Sequence, residues 1–188
     1  MSAIFLFTLI GSCARRNVTR VEHDKVIDLS GKWNETDARL AAESLIQQVL
    51  TGGWLSNFMT NQQRKPVVIV GLIRNHSHEH LDPEIFTKDI EKAFIKDGRV
   101  RLVQANEKRD ELRAERADQQ NFSSEESMKK FGRELGADFM LQGTIKSIVD
   151  ALGREQTTYW QIDLELAHLE TNEMVWIGDY KGKKYILN

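Results

Sequence analysis

The 188-residue chain has one cysteine, Cys13, and two prolines, Pro66 and Pro83. A single cysteine excludes an internal disulfide, and a chain of this length can bury a core without one. No apolar run approaches the roughly 20 residues that a helix needs to cross a bilayer. Charge of one sign is also lacking. The 26 basic and 28 acidic residues leave a net charge of −2, and the two kinds are interspersed. There is thus no global basic field for nucleic acid or for an anionic lipid surface. The chain has no G-x-S-x-G, no G-x-x-x-x-G-K-[ST], no G-x-G-x-x-G and no H-E-x-x-H. The acid pairs Glu125/Glu126 and Glu111/Glu115 fall in charge-rich helical stretches and read as solvated faces. These absences argue against an enzyme, a cofactor or a small-molecule substrate.

What is present begins at the N-terminus. Ala3 to Ile10 is a short apolar run, followed by the small residues Gly11 and Ser12 and then Cys13. The run matches the h-region of a secretory signal peptide, although Met1-Ser2 supplies no basic n-region. Ile10-Gly11-Ser12-Cys13 resembles a bacterial lipobox, in which the cysteine thiol is acylated and becomes the mature N-terminus. That explains both the existence of the only cysteine and its position. Two or more acyl chains anchor a protein firmly where one does not. The expected organisation is a signal peptide with lipobox over residues 1–13, a short polar tether over 14–27, and one globular domain over 28–188.

Within the domain, Ala38, Ala41, Leu45 and Val49 recur at helical spacing, with Asn34 or Thr36 as the cap. Gly52-Gly53 interrupts this helix; Leu55, Phe58 and Met59 resume it, and Pro66 closes the region. Val67 to Ile73 is a continuous β-branched run, suited to a strand covered on both faces. Asp82 caps the next helix, Pro83 opens it and Gly98 ends it, with Phe86, Ile90, Ala93 and Phe94 on one face. Val100 to Val103 reads as a second strand, parallel to the first. Asn106 to Gln119 reads as a solvated helix. A further helix carries Met128, Phe131 and Leu135 and ends at Gly136.

The period then changes to two. Phe139, Leu141 and Ile145 start a strand. Trp160, Ile162, Leu164 and Leu166 alternate with polar residues in the next, and Thr171-Asn172 leads into a last one with Met174, Trp176 and Tyr180. The fold class expected is mixed α/β: about five strands, a βαβ unit plus an antiparallel meander, with about four helices mainly on one face.

Few residues carry candidate chemistry. His76, His78 and His80 alternate, so three imidazoles could converge on a metal; a polar loop between strand and helix accounts for them as well. His168 reads as a surface residue. Trp160 and Trp176 belong to the core, whereas Trp33 and Trp54 sit in turn-like or interrupted stretches, where aromatics staple the edge of a domain or anchor a partner. Lys181, Lys183 and Lys184 either touch an acidic surface or protect an edge strand.

Several segments in order give a resemblance. They are Asp28 to Asn34 with Thr36-Asp37; Val70-Gly71; Asn75 with Glu79-His80-Leu81-Asp82; Gly98-Arg99-Val100; Gly136-Ala137-Asp138 with Gly143; and Thr171-Asn172-Glu173 with Trp176 and Gly178. Together they resemble the LpoB-type lipoproteins that activate penicillin-binding proteins, across about Val26 to Gly182. The resemblance implies a small α/β domain related to the N-terminal domain of TolB and to the curli-secretion lipoprotein CsgG. It implies attachment to the bacterial outer membrane, facing the periplasm, and a bifunctional penicillin-binding protein as partner. It also implies regulation of peptidoglycan synthesis by docking, with no catalysis on this chain. The 20 residues from Cys13 to Trp33 span at most about 70 Å extended, at ~3.5 Å each, and about 25 Å relaxed. Two alternatives stand beside this reading. One is an envelope structural or secretion-related CsgG-like lipoprotein, for which no long alternating hairpin is evident. The other is a metal-dependent hydrolase built on His76, His78 and His80.

Overall fold

The computed structural model describes residues 17–121 and 136–187. Cys13 and the expected helix with Met128, Phe131 and Leu135 lie outside the described residues.

Helix α1 (Glu35–Thr51) begins with a reciprocal cap: Asn34 accepts from the Asp37 N–H while the Asp37 carboxylate accepts from the Asn34 N–H. Such a box satisfies two of the amides that open every helix. Gly52, with ψ near 142°, breaks the rod, and α2 (Gly53–Gln62) restarts at an angle to it. Helix α3 (Pro83–Asp97) has the expected Asp82 cap, proline at its start and a left-handed Gly98, φ 74°, at its end. Helix α4 spans Asn106–Asn121.

The strands are β1 (Val67–His76), β2 (Arg101–Val103), β3 (Phe139–Leu152), β4 (Glu155–His168) and β5 (Met174–Leu187). They form one sheet in the order β2-β1-β3-β4-β5. β1 is parallel to both β2 and β3; β3, β4 and β5 are antiparallel. The mixed α/β class and the βαβ-plus-meander plan hold. β1 extends to His76, three residues beyond the apolar run at Ile73, because Asn75 and His76 continue to pair with β3.

One expectation is corrected. β3 and β4 are each 14 residues long and join in a hairpin that β5 extends with another 14. The sequence hid this length because β3 has no buried residue beyond Ser147. Ile148, Leu152 and Leu187 are 64%, 85% and 70% exposed, so the apolar–polar alternation that marks a half-buried strand fades there.

β4 alternates buried and half-buried residues almost without a break. Of its buried residues, Ile162, Leu164 and Leu166 join one core with Leu45 and Val49 of α1, Ile90 and Phe94 of α3, and Val68 and Leu141 of the neighbouring strands. Burying each such aliphatic side chain contributes about 1.5–3 kcal/mol. The α1–α3 helices therefore cover one sheet face. The other carries Gln142, Gln161, Asp163 and Glu165, and at its lower end Arg109 and Arg113 of α4 line a hollow with Ile69 and Met140.

Candidate partner-binding surfaces

The segment before α1 is fastened to the body as a strap. Lys184 Nζ lies 2.5 Å from Asp28 Oδ1, 2.6 Å from Asp37 Oδ2 and 3.1 Å from the Lys32 carbonyl oxygen. Asn34 Nδ2 donates to Asp28 at 2.6 Å, and the Trp33 N–H donates to Glu79 Oε2 at 2.9 Å. Gly31, at φ 66°, crosses so close to Ile186 that a Cβ there would lie 2.4 Å from it. Only glycine takes both that backbone and that approach. Burial pulls the Lys184 ammonium down, but hydrogen bonds to Asp28 and Asp37 outweigh it and hold the group above the ordinary lysine value. The hydrogen bond from Lys184 in turn holds Asp28 below the ordinary carboxylate value.

This geometry gives three of the partner-binding candidates contacts inside the domain. Lys184 is occupied by two carboxylates and lies over the Trp160 ring, 5.9 Å from its centroid, so it closes an internal contact. Trp33 stands edge-on to Trp160 at 5.8 Å and is half-buried. Trp54 is only 5% exposed; it packs against Phe139 at 5.2 Å and donates its Nε1–H to the Val49 carbonyl at 2.7 Å. Both indoles act as staples at the domain edge. Lys181 and Lys183 are exposed on β5, and Lys181 pairs with Asp179 at 3.0 Å.

The histidines do not converge. His76 ends β1 opposite Lys146, His78 turns its backbone N–H and Nδ1 to the Ser147 hydroxyl, at 3.0 and 3.1 Å, and His80 lines the cleft between α1 and α3. Among the described residues no three His, Cys, Asp or Glu side chains are grouped to hold a metal ion. His168 is not a plain surface residue, since its ring stands edge-on to Phe139 at 5.1 Å.

Two surfaces of the domain stand out. One is the cleft of about 780 Å³ between α1 and α3, floored by Ala38, Ala42, Ile46 and Phe86. Its depth comes from the small residues of α1. The other is the sheet face opposite α1–α3. There Tyr159, Gln161 and Asp163 form a hydrogen-bonded row along β4, Gln142 donates to Glu165 across to it, and Lys146 pairs with Asp163 at 3.7 Å. The sequence shows Gln161, Asp163 and Glu165 only as the polar half of an alternating strand, and does not single out Tyr159, Gln142 or Lys146. That alternation was nevertheless the available signal, because it places them all on one face.

The domains of LpoB from Salmonella enterica and Escherichia coli are among similar solved structures. The C-terminal domain of the first is 15% identical, covering 78% of this chain and 98% of that one, with a TM-score of 0.47. The C-terminal domain of the second is 18% identical over the same shares, with a TM-score of 0.46. A solution structure of E. coli LpoB covers 97% of this chain and 84% of its own at 16% identity and a TM-score of 0.43. No curated protein sequence matches. The family model described as the peptidoglycan-synthase activator LpoB matches residues 37–181, from the first turn of α1 well into β5. The chain belongs to the LpoB family of peptidoglycan-synthase activators.

Proposed function

We propose that this protein is a lipid-anchored periplasmic regulator that docks on a bifunctional penicillin-binding protein and raises its activity without chemistry of its own. The observation that carries the reading is the family match over residues 37–181. The exposed surfaces agree with docking, being broad and lined by mutually satisfied polar groups. In this reading acyl chains on Cys13 hold the protein at the outer membrane, and Lys181 and Lys183 remain candidate contacts for the synthase.

The strap refines the reach. Because Asp28 is fastened to Lys184, the free tether runs from Cys13 to Asp28. These 15 residues extend to about 53 Å at ~3.5 Å each, so the synthase has to contribute much of the distance.

The test is glycan polymerisation and crosslinking by a purified bifunctional synthase from the same organism, with and without this protein. The expected result is acceleration of both reactions at stoichiometric protein. No binding to any such synthase would remove the reading. Mass spectrometry of protein extracted from membranes is expected to find acyl groups on Cys13; cytosolic protein with a free thiol would overturn the anchor.

A CsgG-like assembly is favoured by one observation, the long β3–β4–β5 ribbon with exposed Ile148, Leu152 and Leu187. Light scattering separates it, because that reading requires a defined ring and the leading one does not.

A further inference from the structure

The two edges of the sheet are treated differently. An open edge strand is a template for pairing, and proteins usually block it. β5 is covered at two points: Gln48 Nε2 of α1 donates to the Asp179 carbonyl at 3.0 Å, and the strap crosses at Ile186. The opposite side is not. β2 pairs with β1 only at Val67, Val68 and Ile69, whereas β1 runs on to His76. From Val70 onward β1 has no strand neighbour on that side among the described residues.

Beyond the end of β2 lies a cleft of about 530 Å³. Its floor is Val70 to Ile73, one wall is α3 at Thr87, Lys88 and Glu91, and the other is Ala105 and Lys108. A bulge shapes the floor. Val70 pairs with Leu141 and Ile73 with Gly143, so β1 fits one extra residue between them. Bulges of this kind re-aim a side chain. Here Val70 and Ile73 stay buried at 3% and 5% while Leu72 is 58% exposed. Most wall charges cancel locally, since Lys88 pairs with Glu91 and Lys108 lies 3.6 Å from Glu84; Asp82 at one end of the cleft is taken up in capping α3. A cleft with open backbone groups, an apolar side chain and neutralised walls complements an uncharged extended peptide.

We propose that this cleft is a strand-docking groove that takes an extended, uncharged segment of a partner protein. The segment pairs with the β1 backbone over Val70–Asn75, in line with β2, and lays an apolar side chain on Leu72. Backbone pairing supplies the affinity of such additions and alternate side chains supply the selectivity. The inference rests on the proposed function in taking the bifunctional synthase as the donor of the segment.

The test uses the full-length protein and the purified synthase, with affinity and amide hydrogen exchange as readouts. In the complex, amides of Val70–Asn75 are expected to slow at least tenfold. Leu72→Lys, at an exposed site, and Ala105→Trp, which fills the cleft, should each weaken binding at least tenfold while leaving the melting temperature within a few degrees. Unchanged affinity of both variants, with no slowing at Val70–Asn75, overturns the groove and leaves the synthase reading intact. Absence of any binding by the unsubstituted protein overturns the synthase reading, and this inference with it.

Discussion

Arg64 and Asp138 are 74 residues apart in the chain and meet through a two-pronged pair, Nη1 to Oδ2 at 2.7 Å and Nη2 to Oδ1 at 2.6 Å. The same carboxylate accepts the Val67 N–H at 2.8 Å, and the Asp138 N–H donates to the Val67 carbonyl at 2.7 Å. One side chain therefore sets where β1 and β3 begin to pair, and so the register of the parallel half of the sheet. Asp138→Asn should cost about 1–3 kcal/mol, as expected when a partly buried ionic acceptor is replaced; urea unfolding at neutral pH measures it.

Acid provides a second check on the same residue. Burial pushes the Asp138 carboxyl up, but the Arg64 guanidinium and the Val67 N–H outweigh it and leave it below its ordinary value. A depressed native value means that this stabilisation is complete above the ordinary carboxylate range and is lost as pH falls through the native one. The unfolding free energy of the wild type should therefore drop more steeply between pH 5 and about pH 2 than that of Asp138→Asn.

Lys184→Met keeps the aliphatic stem on Trp160 and removes the ammonium from Asp28 and Asp37. The expected loss is about 2 kcal/mol, since Asp37 is left without its cation, together with faster amide exchange from Gly31 to Asn34. Because Lys184 lies above its ordinary value, its contribution is whole at neutral pH and fades only as pH rises through that raised value. The difference between variant and wild type should accordingly shrink in alkali.

Phe139 gathers three rings, Trp54 and Phe58 at 5.2 Å and His168 at 5.1 Å. Phe139→Ala should cost about 3–5 kcal/mol and shift the Trp54 fluorescence to the red. A change below 1 kcal/mol would show that the helices close over the gap.

A Cβ on Gly143 would lie 2.3 Å from the Asp163 carbonyl oxygen. Gly143→Ala should destabilise by about 1–3 kcal/mol, the usual range for an overpacked site, with the increased exchange confined to β3 and β4.

Local signals carried most of the fold. Asn34, Asp82 and Gly98 marked helix ends by chemistry that acts within one turn, and the alternation from Trp160 to Leu166 marked β4 because one face is dry. What stayed hidden depends on partners far along the chain. Lys184 looked like one of a basic surface group because nothing near it in sequence shows Asp28 and Asp37. Trp54 looked available because a glycine pair precedes it, yet Phe139 and the Val49 carbonyl enclose it. The histidines followed the period of an extended chain, but β1 ends at His76 and the chain turns there.

The strap has a mechanical consequence. A force drawn along the N-terminal segment reaches the body at Asp28, and Lys184 passes it to the last strand and the first helix together. Such a load acts in shear across several bonds at once, where peeling a free end would break them singly. The domain should thus bear tension applied at its N-terminal segment while its sheet stays in register.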